Sequence, residues 1–144
     1  MVHQDTIELL KECNAGVKMG VSSIDEILDD TQDSILKQTL TSSKDEHSRL
    51  GDETRRLLNN YGEMGKEPNP MAKGMSWIKT NVMMAMDAGD DTIADLLTDG
   101  CNMGVKSLSR YLNKYGAADE QSKDIAKKLI SMEADLAIKL RDYL

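Results

Sequence analysis

Apolar residues recur along this chain at intervals of three and four, the spacing that lines one face of an α-helix, and no period-two alternation marks a strand. The first stripe runs through Ile7, Leu10, Cys13, Val17, Gly20 or Val21, Ile24 and Leu28. Asp5-Thr6-Ile7-Glu8 resembles a capping box and predicts a helix start near Asp5. After Asp29-Asp30-Thr31 a second stripe passes through Leu36, Leu40, Ser43, His47, Leu50, Thr54, Leu57 and Tyr61, with Gly62 as its stop. Gly65, Pro68, Asn69 and Pro70 disfavour helix, so Glu63 to Pro70 predicts a crossover loop. A shorter helix is expected on Met71, Met75, Ile78, Val82 and Met86, packed across the bundle by Trp77, until Gly89-Asp90-Asp91 breaks it and caps the next. That next helix uses Ile93, Leu96, Leu97, Cys101, Gly104, Leu108, Tyr111 and Tyr115 and closes at Gly116. A last one runs from about Ser122 to Leu144 through Ile125, Leu129, Met132, Leu136, Leu140 and Tyr143.

The pattern predicts an all-α fold of four long helices and a short connecting helix. It forms one domain over 1–144, with a first hairpin at about 5–62, a crossover loop and short helix at about 63–89, and a second hairpin at about 90–144. A chain of 144 residues buries enough surface to need no disulfide or metal staple. Phe is absent and Met occurs ten times, so aliphatic and thioether side chains must fill the core.

The most specific feature is an internal repeat. Cys13-Asn14-Ala15-Gly16-Val17-Lys18 recurs as Cys101-Asn102-Met103-Gly104-Val105-Lys106, five identities in six positions. The helices that follow align more weakly, Glu46, Leu50 and Leu57 falling opposite Glu133, Ala137 and Leu144. Two helical hairpins related by duplication and joined by one long crossover form a four-helix bundle of ferritin-like topology. Together with the repeat, Asp90-Asp91-Thr92-Ile93-Ala94-Asp95-Leu96-Leu97 and Lys106-Ser107-Leu108-Ser109-Arg110-Tyr111 give a chain that resembles the ferritin-like bacterial four-helix-bundle proteins of unknown function. The resemblance implies a fold and no particular activity.

Such bundles often carry a di-iron centre, which takes a Glu from each of two helices and a Glu-x-x-His from each of the other two. The sequence does not supply that set. Lys44 stands three residues before His47, Leu136 three after Glu133, and Gly16 and Gly104 occupy the central stripe positions of the repeated helices. No metal ligand, cofactor or catalytic residue is therefore expected. His47 lies on an inward stripe with no carboxylate placed beside it by spacing, and reads as a hydrogen-bonded core histidine. Cys13 and Cys101 hold equivalent repeat positions. A pseudo-twofold would bring them together as a redox pair, whereas two buried inert thiols are the simpler reading. Asn14 and Asn102 either exchange hydrogen bonds across a helix seam or face water. Gly16 and Gly20, like Gly100 and Gly104, are four apart, so each pair makes a flat patch that lets helices approach; the repeat predicts Gly16 set against the neighbourhood of Gly104.

Charge and hydropathy bear on partners. A net charge of −7 works against binding nucleic acid, and no apolar run approaches the ~20 residues of a membrane span. The first residues lack the features of a secretory signal, so a cytoplasmic protein is expected, and the missing ligand pattern makes the expectation a metal-free one. Its partner is expected to be a protein, as a homo-oligomer or with another chain. The leading functional expectation is a non-catalytic bundle for interaction or assembly. The alternative is a metal-binding or thiol-redox protein using Cys13, Cys101 and His47.

Overall fold

Four of the predicted stripes fold as four long α-helices: α1 (Val2–Leu28), α2 (Ser34–Asn60), α3 (Asp90–Lys114) and α4 (Glu120–Leu140), the last followed by a 3-10 turn, Arg141–Tyr143. This computed structural model describes residues 2–63 and 89–144, and no strand occurs among them. The expected crossover loop, the short helix on Met71 to Met86 and Trp77 lie outside the described residues.

Helix ends are fixed by side chains that replace missing backbone partners. The Asp33 carboxylate accepts from the Leu36 N–H at 2.8 Å, and the Asp119 carboxylate from the Ser122 N–H at 2.8 Å, so each starts a helix as its N-cap. α2 ends at Asn60, and the chain turns away at Gly62, whose φ of 69° is open only to residues that tolerate the left-handed region. There the Glu63 N–H returns to the Leu58 carbonyl and the Gly62 N–H to the Asn59 carbonyl, both at 3.0 Å.

The capping box expected at Asp5 does not form. α1 is already helical at Val2, and its two polar side chains turn to the other hairpin. The Asp5 carboxylate accepts from the Ala117 N–H at 3.1 Å and the Thr6 hydroxyl from the Asp119 N–H at 2.9 Å. At the opposite end Asp90 plays a matching part. It sits in the first turn of α3, where Gly89 is the N-cap, and its two oxygens accept from the Gln32 and Asp33 N–H groups at 2.9 and 2.8 Å. α1 and α4 therefore start at one end of the molecule, and α2 and α3 at the other. Each hairpin is antiparallel, and α3 begins at the end opposite to where α2 finishes.

The core divides into two clusters. One gathers Leu9, Leu10, Cys13, Val17, Leu50, Leu58, Leu108, Ile125 and Leu129; the other gathers Ile24, Ile27, Leu36, Leu40, Ile93, Leu97, Cys101, Leu136 and Leu140. The seam on α2 ends on fully buried Leu58 with Leu57 only partly buried, the reverse of the predicted stripe. A helix of 3.6 residues per turn drifts away from a strict four-three alternation, and by the last turn the drift amounts to one position. α4 is shorter than predicted: it ends at Leu140, and Tyr143 sits in the 3-10 turn, where its hydroxyl donates to Asp33 at 3.2 Å.

Candidate functional site

Between the two clusters every helix contributes one residue to a waist: Gly20 from α1, His47 from α2, Gly104 from α3 and Glu133 from α4. The α2 stripe points His47 inward, and its side chain is only 1% exposed. Its Nδ1 lies 2.7 Å from the Ser43 carbonyl oxygen, one turn back on the same helix. Its Nε2 lies 3.0 Å from Glu133 Oε1, reached across from the second hairpin. Glu133 is largely buried too, at 13% side-chain exposure. Spacing along the sequence sets no carboxylate beside His47; α4 supplies one.

The glycines make room for this pair. An atom at the Cβ position of Gly20 would stand 2.9 Å from His47 Cδ2, closer than side chains pack, so the imidazole lies directly on the α1 backbone. Gly104 does the same for Glu133, with Cδ 3.5 Å from its Cβ position. The two hairpins are thus built alike: the first helix presents a glycine, and the second lays an inward polar side chain over it. By this geometry Gly104 corresponds to Gly20, one helical turn from the Gly16 that the repeat aligns with it. No atom of α3 lies within 4 Å of the Cβ position of Gly16. The Cβ position of Gly16 faces Leu129 Cδ2 at 3.5 Å, so both glycines look toward α4. Gly100 is half-buried on α3. Gly51 on α2, outside the repeat, makes a further close approach: its Cβ position lies 2.7 Å from Val17 Cγ1.

The cysteines do not pair. Cys13 and Cys101 are both buried free thiols, and they belong to different core clusters on either side of the waist. Burial, with the nearby Glu12 charge, pushes the Cys13 thiol up to about 12. Burial likewise pushes Cys101 well above the ordinary thiol range, helped by the charge of Glu133 and a hydrogen bond to it. Both thiols stay protonated at neutral pH, without nucleophilic character. Nor do the repeated asparagines meet. Asn14 is completely buried, with neither side-chain N nor O hydrogen-bonded to another of the described residues, whereas Asn102 is exposed. Among the described residues no three His, Cys, Asp or Glu side chains converge as metal ligands would, and no helix there is long and apolar enough to cross a membrane.

Glu133 had a signal in the sequence. It extends the α4 stripe as Ile125, Leu129, Glu133, Leu136, Leu140 at helical spacing, where the apolar pattern alone selects its neighbour Met132. Compared with known proteins, the chain matches no family model, no curated protein and no solved structure.

Proposed function

We propose that this chain is a ferritin-like bundle without a di-iron centre, acting non-catalytically as an interaction or assembly protein. The observation that carries this reading is the composition of the waist. A di-iron centre draws a carboxylate from every helix and a histidine from two of them. Here the inward waist positions are glycine on α1 and α3, one histidine on α2 and one glutamate on α4, and the two polar groups bind each other. Helix directions support the ferritin-like part, since α3 starts at the end opposite to the finish of α2, as one long crossover requires. The matched use of Gly20 under His47 and Gly104 under Glu133 supports a duplicated hairpin.

With the polar core engaged internally, recognition falls to the surface. That surface is acidic overall and carries the exposed apolar side chains Ile35, Met103, Ile138 and Leu144, a mixture suited to a protein partner or a second copy and unfavourable to nucleic acid. The test is iron loading of untagged protein, followed by metal analysis and an assay of ferrous oxidation. No stoichiometric metal and no oxidation above the protein-free rate are expected. Saturable uptake of about two ions per chain, as in a di-iron site, would overturn the proposal.

A further inference from the structure

The hydrogen bonds of His47 determine how many protons the waist must hold. The Ser43 carbonyl oxygen can only accept, so at 2.7 Å the Nδ1 of His47 carries a hydrogen and donates it. On the other side of the ring, Nε2 and Glu133 Oε1 stand 3.0 Å apart. A neutral imidazole already protonated on Nδ1 has only a lone pair at Nε2. A carboxylate likewise presents only lone pairs. Two acceptors at that distance in a buried site repel, so a further proton must lie between them, whether written on the imidazolium or on the carboxyl group.

We infer that the waist is a proton-operated latch: one proton held between His47 of the first hairpin and Glu133 of the second ties the two hairpins together, and its release loosens the seam. The neighbours leave this role to the pair. From α1 the ring is faced by Gly20, which has no charge. From α3, Gly104 lies against Glu133, and Cys101 reaches Glu133 as a neutral thiol. On α2 itself the exposed Glu46 adds a weaker negative field. Among the described residues, no Lys or Arg is one of the groups that act on His47. Burial alone would discharge the imidazole, but the hydrogen bond and charge of Glu133, with the Ser43 carbonyl and Glu46, outweigh it and raise the histidine above its usual range.

The sign follows by linkage. The folded chain holds this proton to higher pH than the unfolded chain. The stabilisation is therefore complete below the unfolded imidazole value of about 6.5 and is lost as pH rises through the higher folded value. The experiment is a nitrogen-15 NMR titration of the His47 ring in the intact chain, read beside the urea midpoint and amide exchange at the centres of α2 and α4. The ring is expected to stay doubly protonated past 6.5, with the urea midpoint falling and central amide exchange accelerating beyond opening-independent pH effects as it titrates. Glu133→Gln supplies an N–H donor that suits a neutral imidazole, so in that variant the ring should titrate below 6.5 and the alkaline fall should disappear. A wild-type ring that titrates at or below 6.5, or an alkaline fall that persists unchanged in Glu133→Gln, overturns the inference. Neither result depends on whether the protein has a partner or takes up iron.

Discussion

At Gly20 and Gly16 the same chemical change should have opposite effects, because the two glycines differ in what lies above them. Alanine is favoured over glycine in a helix interior by about 1 kcal/mol. At Gly16 the new methyl group would meet Leu129 at 3.5 Å, an ordinary contact, so Gly16→Ala should stabilise by roughly 0.5–1 kcal/mol. At Gly20 the methyl group would press on the His47 ring at 2.9 Å, and the ring is held on both sides by Ser43 and Glu133. It can yield only by stretching those bonds, so Gly20→Ala should destabilise by roughly 1–3 kcal/mol. Urea unfolding of the two variants at one pH measures the contrast, and equal shifts would refute it. Periodicity put His47 on the inward face, and that much of the site was legible. Its partner was not, because pairing His47 with Glu133 depends on which helices become neighbours, and spacing along one helix carries no such information. Asn14 was undecidable for the same reason: its twin Asn102 has an almost identical local sequence and lies in water.

At the scale of elements, four of the helices were legible because each buries a stripe of large aliphatic side chains, and such stripes dominate helix stability. The ends were less so. Asp5 and Thr6 look like a cap in sequence, yet their side chains hold the turn that begins α4, and only the docking of two helices reveals that use. Asp119 is a true N-cap, and Asp119→Ala should cost about 1 kcal/mol in thermal or urea unfolding while Glu120→Ala, exposed beside it, costs little. Asp33 makes a prediction about acid. The Leu36 N–H holds its carboxyl below the ordinary carboxylate range; desolvation opposes it, and the Tyr143 hydroxyl and the Ile35 N–H give smaller help. A depressed value means that its contribution is present above the unfolded carboxylate range of about 3.9 and is lost as pH falls through the folded value. Asp33→Asn keeps a capping oxygen without the titration, so its stability should decline less than that of the wild type below about pH 4. Parallel acid titrations followed by circular dichroism would check this; identical curves would show that the cap charge is idle.

Across the whole molecule, polar groups join the hairpins at three levels: Asp5 and Thr6 at one end, Asp90, Asp33 and Tyr143 at the other, and His47 with Glu133 at the waist. Apart from the Tyr143 hydroxyl on Asp33, the end ties use peptide N–H groups that need partners in any case. The waist pair is different, since two ionisable groups were taken out of water to make it, and a buried pair is weak evidence for stability. Removing one partner strands the other: His47→Leu should destabilise by roughly 3–5 kcal/mol, less in so far as the slightly exposed Glu133 finds water. Replacing both by apolar residues of similar size removes the desolvation penalty along with the attraction. His47→Leu combined with Glu133→Met should therefore recover the wild-type level or exceed it by roughly 1–4 kcal/mol, and it should lose the alkaline dependence of stability. The end ties remain in that variant, so the hairpins should dock in the same directions, with Tyr143 still on Asp33. A double variant as unstable as His47→Leu alone would show instead that the ion pair contributes net stability that apolar packing on Gly20 and Gly104 cannot replace. Recovery would assign the pair its remaining role, that of a polar layer which sets the register of one hairpin against the other and responds to pH.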